Sequence, residues 1–411
     1  MHTINNLFLK LLLFVLISTS LHAAPDEEKM GKANGYPACT PSLTRMECRV
    51  GFLSFPNGRR IEASSNFAPL ELDSNPPIIK YKWGFSNNTA QEYFESQKAT
   101  GLLILKHGKI VFENYQYDRK ASSLFLSQSM SKTITALLIG IANDKGFIKS
   151  LDDTAATYFT EISGTAYGDT TIKNLLRMSS GVRFQETYTW SPESDLMKFV
   201  NLISNGGNQS MISAAKYFNI REVEQGGRFN YAGSETEILA RVLTKSTGKN
   251  LTELTKEWLW IPIGAEHPSY WRFPMMGDGI ETASGGFYAS LRDWGRLGNL
   301  LANDGLVNGQ QLISKEYLLA ATDTSLQPAN FKPKVATNYF GYGYQIWLFP
   351  MKKRTFALQG IYGQTIYVQP DSGVVMVQTS AYDYPSGDPM NRNKIEFWKA
   401  ALTQLGGDPS E

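Results

Sequence analysis

The stretch that decides the fold reads Ser127-Gln-Ser-Met-Ser-Lys-Thr133, and apolar residues follow it at helical spacing. These apolar residues repeat at intervals of three and four: Ile134, Leu137, Leu138 and Ile141. The repeat predicts an amphipathic helix that packs in the core and ends near Gly146. A helix places Ser129 and Lys132 on the same face, one turn apart. The sequence therefore predicts a hydroxyl beside an amine at the start of a buried helix.

An amine in this position can accept the proton of the serine hydroxyl, but only when the amine is neutral. Its pKa must then fall from the ordinary value of ~10.4 through burial or nearby positive charge. The start of a helix supplies unpaired N–H groups and the positive end of the helix dipole, which favour an alkoxide and a neutral lysine. We therefore expect Ser129 to be a nucleophile and Lys132 to have a lowered pKa. The alternative is that Ser129 merely caps the helix.

The Ser-x-x-Lys pattern also occurs at Ser213-Ala-Ala-Lys216 and at Ser246-Thr-Gly-Lys249. The first of these leads into Tyr217 and a polar stretch, and the second contains Gly248 among polar residues. In this context both are typical of the ends of surface helices. Context therefore selects the pair at 129 and 132.

Histidine is too scarce to support several other kinds of site. The four histidines are His2, His22, His107 and His267, and the first two lie in the N-terminal leader. No Gly-x-Ser-x-Gly motif is present to hold the serine of a Ser-His-Asp hydrolase. A zinc site built on several imidazoles is equally poorly supported, so we expect no metal and no cofactor. His107 is predicted at the tip of a β-hairpin and His267 in a loop.

Bulk composition indicates a globular enzyme rather than a nucleic-acid-binding protein. The 411 residues are 42% hydrophobic and 19% charged, with a formal net charge of +2. This length can bury a large core, and so small a net charge provides no field that would hold a polyanion. We expect a small-molecule partner and no nucleic acid, and the oligomeric state stays open.

The N-terminus predicts export. Lys10 precedes the apolar run Leu11–Ile17, and small residues end at Ala23, so residues 1–23 resemble a secretory signal peptide. The alternative is a membrane anchor, although the run is short for a span of ~20 residues. After signal removal we expect no stable membrane span and a periplasmic or secreted protein. Residues 24–95 read as an N-terminal extension, in which Cys39 and Cys48 form a disulfide or remain two free thiols.

Several motifs follow one another in a fixed order along the chain. They are segment 101–113, Ser127–Thr133, Leu151–Asp153, segment 171–182 and Gly227–Ser234. In this order the chain resembles the serine β-lactamase-related family of class C β-lactamases, D-alanyl-D-alanine peptidases and related esterases. The resemblance implies an α/β (α+β) fold over residues 96–405, in which a central antiparallel sheet is flanked by helices. A mainly helical subdomain would span about 130–300, with the site in the cleft between the halves.

The segment Gly227-Arg-Phe-Asn-Tyr-Ala-Gly-Ser234 resembles the second motif of that family, Tyr-x-Asn or Tyr-x-Ser. The resemblance implies that the Tyr231 hydroxyl lies beside Ser129 and Lys132 and shuttles protons. Whether the lysine or the tyrosine is the formal base stays open. Gly233 departs from the motif, because Asn or Ser is usual there, and Ser234 is the nearest polar substitute.

The third motif, Lys/His-x-Gly on a strand, is matched to Ile361-Tyr-Gly-Gln364. A glycine lets the strand backbone approach a substrate, and the resemblance implies that the N–H groups of Ser129 and Gln364 form the oxyanion hole. We therefore expect Ile361 and Gly363 to contact substrate. Isoleucine supplies no cation for a substrate carboxylate. The run Lys352–Arg354 could partly compensate, but such a charge run is more typical of a solvated face.

An aliphatic residue at this position is similar to the branch that contains nylon-oligomer (6-aminohexanoate-dimer) hydrolases and carboxylesterases. Segment 180–188 also resembles that branch, which implies that Tyr188 donates a hydrogen bond to the leaving nitrogen. The expected function is hydrolysis of an amide or ester through an acyl-enzyme on Ser129. The alternatives are a penicillin-binding, carboxypeptidase or β-lactamase-type protein, and a non-catalytic envelope protein on the same fold.

Overall fold

The computed structural model describes residues 24–27, 58–189, 191–205, 210–273 and 280–411. The predicted signal peptide (1–23), Cys39 and Cys48 lie outside the described residues, as does most of the first half of the N-terminal extension. Within the described ranges, every helix is too short or too polar to cross a lipid bilayer.

The elements alternate along the chain without segregating into a strand half and a helix half. The strands are β1 (Gly58–Ile61), β2 (Lys80–Trp83), β3 (Ser86–Thr89), β4 (Ala99–Lys106), β5 (Lys109–Tyr115), β6 (Phe125–Leu126), β7 (Ser269–Arg272), β8 (Phe287–Ala289), β9 (Leu306–Val307), β10 (Gln310–Gln311), β11 (Gly341–Tyr342), β12 (Trp347–Leu348), β13 (Phe356–Gly360), β14 (Gln364–Gln369) and β15 (Val374–Ser380). The helices are α1 (Ala90–Ser96), α2 (Ser131–Asp144), α3 (Ile172–Leu176), α4 (Asp195–Asn205), α5 (Ser210–Tyr217), α6 (Gly233–Thr247), α7 (Leu251–Thr255), α8 (Leu291–Ala302), α9 (Lys315–Thr322) and α10 (Met390–Gln404).

A seven-stranded antiparallel sheet forms the centre, with strand order β11-β12-β13-β14-β15-β4-β5. The predicted hairpin is confirmed as β4 and β5, and His107 lies in its turn with a positive φ of 48°. The predicted turn before Val374 is also confirmed, since β14 and β15 are joined there and Gly373 has a φ of 63°. The predicted fold class, a central antiparallel sheet with flanking helices, is confirmed.

The two faces of the sheet carry different apolar side chains, as the pleat of a strand requires. On β4, Leu102 and Ile104 pack in the cluster covered by α10, whereas Leu103 and Leu105 belong to the main core. Helix α8 lies on the main-core face, where Gly295 approaches Leu103 and Gly298 approaches Val375. Helix α8 therefore packs on the central sheet, although it falls within the range 130–300 that the sequence analysis assigned to the helical half.

Helix α2 is buried along almost its whole length in the main core. Helices α6 and α7 pack against α2, and a second, four-stranded sheet of order β1-β7-β8-β6 completes this half. Segment 283–286 leads into β8 and passes behind the start of α2, where the Ser131 hydroxyl donates to the Ala283 carbonyl at 2.8 Å. The start of α2 is thus fixed between the two halves.

Candidate active site

Ser129 lies in a single 3₁₀ turn, Gln128–Met130, which leads directly into α2. Gln128 has a positive φ of 47°, a conformation that non-glycine residues adopt rarely and that functional sites often contain. Met130 is fully buried and anchors the turn in the core, while Ser129 remains partly exposed. The turn therefore exposes the Ser129 side chain to the cleft, while the neighbouring Met130 is held in the core.

Lys132 occupies the first turn of α2 and is 2% exposed. Its Nζ donates to Ser129 Oγ at 3.0 Å and to the Ser284 carbonyl at 2.7 Å. The backbone of Ser284 is held in turn by Glu237 of α6, whose carboxylate accepts from the Ser284 N–H at 2.9 Å. The lysine is thus aimed at the serine by a backbone carbonyl that the sequence analysis did not identify.

Tyr231 approaches the same pair from the segment that precedes α6. Lys132 Nζ is 5.1 Å from the centre of the Tyr231 ring, and the tyrosine side chain interacts electrostatically with Ser129 and Lys132. The ring stacks on Trp347, with centroids 5.4 Å apart, which fixes its orientation. The structure therefore brings together the serine, the lysine and the tyrosine that the sequence analysis named.

The protonation of Lys132 differs from the expectation. Burial lowers the pKa of Lys132, but Tyr231, Glu186 and Glu237 act in the opposite direction, and the net result is a raised pKa. The predicted lowering is wrong because the interactions with Tyr231, Glu186 and Glu237 outweigh desolvation. Burial likewise raises the pKa of Tyr231, which Lys132 only partly offsets. Both groups therefore hold their protons in the resting site at neutral pH.

Glu186 is an acidic member of the site that the sequence analysis missed. One of its carboxylate oxygens accepts from the Tyr188 hydroxyl at 2.8 Å, and the other accepts from the Gly233 N–H. A Cβ on Gly233 would lie 3.1 Å from that second oxygen and 3.6 Å from Lys132 Nζ. The carboxylate therefore occupies the space in which the usual Asn or Ser side chain would begin. Ser234 does not replace it, because its buried hydroxyl pairs with Tyr167 at 2.7 Å.

A usable signal for Glu186 was present in the sequence. Glu186 stands two residues before Tyr188 in the segment that the resemblance picked out. In an extended chain such spacing puts two side chains on one side. Only the fold, however, could show that Gly233 leaves room for the carboxylate.

The third-motif residues are placed differently from the expectation. Gly360, at the end of β13, is the glycine that approaches the nucleophile turn, since a Cβ there would lie 3.1 Å from the Ser129 nitrogen. Gly363 instead faces the ring of Tyr382. Gln364 begins β14, one strand further from Ser129, and its side chain bonds to Ser380. Ile361 directly follows Gly360, at the end of the strand that meets the nucleophile turn.

The cationic run before β13 does not serve the cleft. Lys353 pairs with Asp371 at 3.3 Å, and Arg354 pairs with Asp304. Asp371 lies in the turn between β14 and β15, at the end of the sheet opposite to Ile361. The suggested compensation for the missing motif cation is therefore wrong, because the strand direction carries these side chains away from Ser129.

Comparison with known proteins agrees with this arrangement. The profile of the Beta-lactamase family matches residues 87–397, which is most of the chain and includes every site residue described above. The chain belongs to the beta-lactamase family. This family member is thus a serine β-lactamase-family hydrolase, related to the penicillin-binding proteins.

Three relatives of this beta-lactamase family member are informative. A 6-aminohexanoate-dimer hydrolase of Paenarthrobacter ureafaciens is 22% identical over 301 residues, covering 72% of this chain and 76% of that protein. A Bacillus anthracis structure that is provisionally named a 6-aminohexanoate-dimer hydrolase superposes with a TM-score of 0.74, at 24% identity, covering 85% of this chain and 92% of the other. A family VIII carboxylesterase superposes with a TM-score of 0.58, at 18% identity, covering 75% and 93%. These likenesses confirm the fold that the sequence predicted.

Proposed function

We propose that the protein is an exported serine hydrolase that cleaves an amide or ester bond of a small molecule through an acyl-enzyme on Ser129. The proposal depends chiefly on one observation, the 3.0 Å contact between Lys132 Nζ and Ser129 Oγ, with the centre of the Tyr231 ring 5.1 Å from the same Nζ. A hydroxyl next to an amine and a phenol is the arrangement that activates a serine without histidine.

The chemistry follows from these positions. Once Lys132 has lost a proton, the Lys132 and Tyr231 pair takes the hydroxyl proton of Ser129, and Oγ attacks the substrate carbonyl. The N–H groups of Ser129 and Ile361 hold the negative oxygen of the tetrahedral intermediate, where one lost donor typically costs ~3–4 kcal/mol of barrier. We assign the second donor to Ile361 in place of Gln364, because Gly360 is the residue beside the Ser129 nitrogen.

The second half of the reaction uses the same groups. Tyr231 gives a proton to the leaving nitrogen or oxygen as the carbonyl bond breaks, which leaves the acyl group on Ser129. Water then attacks this ester, the pair accepts a proton of the water, and Ser129 recovers its hydroxyl as the acid departs. No step requires a metal or an organic cofactor.

The amidase or esterase branch is favoured over peptidoglycan or β-lactam substrates. With Gly360 as the glycine of the third motif, the position of the motif cation falls on Leu358, which has no charge to hold a substrate carboxylate, and the cations at 353 and 354 are paired elsewhere. The similarity to 6-aminohexanoate-dimer hydrolases and to a carboxylesterase points in the same direction. We therefore expect short amides and esters to be better substrates than penicillins.

A fluorophosphonate probe and a substrate panel test the proposal. The wild-type protein and Ser129→Ala are compared for labelling and for hydrolysis of p-nitrophenyl esters, 6-aminohexanoate dimer, D-amino peptides and nitrocefin. We expect labelling and turnover in the wild type only. Equal labelling of both proteins would remove Ser129 from the mechanism. A long-lived fluorescent penicillin adduct would favour a penicillin-binding protein, and a lack of any reaction would favour a non-catalytic envelope protein.

A further inference from the structure

We propose that Glu186 is a positioning residue that fixes the Tyr188 hydroxyl as a hydrogen-bond acceptor toward the substrate, so that the site prefers leaving groups that carry an N–H. The preferred substrates are then secondary amides rather than esters. This inference rests on the proposed function and narrows its substrate class.

The hydrogen bonds of Glu186 determine the direction of the Tyr188 hydroxyl. A phenol hydroxyl has a single hydrogen, and the Tyr188 hydroxyl donates it to a carboxylate oxygen of Glu186 at 2.8 Å. A carboxylate that accepts on both oxygens can only accept. The lone pairs of Tyr188 therefore remain available to the cleft, and the hydroxyl can receive a hydrogen bond there but cannot give one.

This assignment reverses the direction expected from the sequence, in which Tyr188 donates to the leaving nitrogen. The nitrogen of a planar amide has little capacity to accept a hydrogen bond, whereas its N–H is a good donor. The acceptor direction thus suits a secondary amide. An ester oxygen has no hydrogen to offer, so an ester gains nothing from the same contact.

Tyr188 is placed where a leaving group would depart. Its hydroxyl contacts Glu186, which in turn contacts the Gly233 N–H beside Lys132. Tyr231, two residues before Gly233, is the group that protonates the leaving atom. Glu186 thus joins these two parts of the site. The charge of Glu186 also acts on Lys132 and Tyr231. A variant of Glu186 must therefore be judged by selectivity rather than by rate alone.

Glu186→Gln is predicted to invert the polarity of Tyr188. The Gly233 N–H cannot become an acceptor, so the amide oxygen of glutamine must face it, and the glutamine NH₂ group then faces Tyr188. The hydroxyl accepts from that NH₂ group and turns its own hydrogen toward the substrate. The Tyr188 hydroxyl hydrogen would then face the N–H of a secondary amide, so two donors would meet with no acceptor between them.

The test compares an anilide and an ester that share an acyl group, p-nitrobutyranilide and p-nitrophenyl butyrate, together with the N-methyl anilide. The kcat/KM ratio of anilide to ester is measured for the wild type, Glu186→Gln, Tyr188→Phe and the double variant. We expect each single variant to lower the ratio about tenfold, since one hydrogen bond between neutral groups is worth roughly that factor. The double variant should lower the ratio no further, and the ratio of N-methyl anilide to ester should stay at its wild-type value.

Glu193→Gln is the matched control, because it removes a carboxylate from the same segment where the side chain is 88% exposed and paired with Lys198. It should keep the wild-type ratio. An unchanged ratio in Glu186→Gln, or additive losses in the double variant, would overturn the inference. If Glu186→Gln does not fold, Tyr188→Phe is sufficient: an unchanged anilide-to-ester ratio in this variant overturns the inference. A wild-type protein that hydrolyses neither substrate and is not labelled at Ser129 refutes the proposed function itself, which is a separate outcome.

Discussion

The Gly233 N–H donates to a carboxylate oxygen of Glu186 that lies only 3.1 Å from the position a Gly233 Cβ would occupy. The absence of a side chain at Gly233 is thus matched by a carboxylate from a different part of the chain. This exchange places a negative charge beside Lys132, where the usual motif places a neutral amide or hydroxyl. It affects both the geometry and the protonation of the site.

Restoring a side chain at Gly233 should impair the enzyme. Gly233→Ser would push its Cβ against the Glu186 carboxylate, against Ser284 at 3.4 Å and against Lys132 at 3.6 Å. We expect kcat/KM for an anilide to fall at least about tenfold, because displacements near 1 Å in such sites cost up to ~100-fold. Lys245→Ala, on the exposed side of the same helix, should leave kcat/KM unchanged. Wild-type activity in Gly233→Ser would mean that Glu186 moves freely.

Removing the amine should abolish turnover without unfolding the protein. Lys132→Met keeps an unbranched chain of similar length in the buried position and eliminates proton transfer, so kcat should fall by roughly 10²–10⁴ or more. Lys216→Met changes the lysine of the second tetrad, at the end of α5, and provides the matched control. Steady-state kinetics with melting curves decides the result. Comparable losses in both variants would contradict the assignment of the first tetrad.

The pH dependence should follow the raised pKa of Lys132. Because the reaction requires the neutral amine, kcat/KM for an ester should rise between about pH 6 and about pH 10. Glu186 and Glu237 are the carboxylates whose charges favour the ammonium form. Glu186→Gln removes one negative charge, lowers the pKa of Lys132 and should move the rising limb to lower pH. In the control Glu193→Gln, the rising limb of the pH profile should stay in place. If it also stays in place in Glu186→Gln, Glu186 has no influence on the pKa of Lys132.

A second buried lysine should make stability depend on pH. Burial lowers the pKa of Lys394 to about 7, while its Nζ donates to the Gly363 carbonyl at 3.1 Å. An unfolded lysine keeps its proton to ~10.4, so above pH 7 the unfolded chain binds more protons and the free energy of unfolding rises with pH. Lys394→Met should flatten this rise between about pH 7 and about pH 10 in urea titrations. Lys315→Met, at a side chain that is 59% exposed, should keep it. Equal slopes of the free energy of unfolding against pH in all three proteins would contradict the lowered pKa of Lys394.

Close packing between α8 and the sheet supplies a test of the fold. The packing leaves no room for a side chain at Gly298, because a Cβ there would lie 2.5 Å from Val375 Cγ1 and 3.1 Å from Ile366 Cγ2. Gly298→Val should therefore lower the free energy of unfolding by ~1–3 kcal/mol. Asn299→Ala, at the next and partly exposed position, should change it by less than ~1 kcal/mol. Chemical denaturation measures the free energy of unfolding of both variants. Similar losses in the two would contradict the close approach of Gly298 to the sheet.

Local pattern was sufficient for those parts of the site that lie near each other in sequence. Ser129 and Lys132 meet because helical geometry brings residues three apart together, and the apolar repeat after them indicates which of the three tetrads is buried. The β4–β5 hairpin likewise follows from two apolar runs around a turn. Local pattern was insufficient at the third motif. There a turn of three residues, 361–363, interrupts a stretch whose alternation predicts one continuous strand, and Gly360 rather than Gly363 approaches the nucleophile turn.

The sequence by itself determined the buried helix that carries the nucleophile and the β4–β5 hairpin, because each depends on residue spacing, and its order of motifs implied the central antiparallel sheet through the resemblance to the family. Only the tertiary structure decided the electrostatics of the site. Glu186 and Glu237 reach Lys132 from distant segments, and the sign of a pKa shift depends on which charges surround a buried group after folding. No periodicity in the chain contains that information, because the interacting charges come from loops and helices that only the packed core brings together.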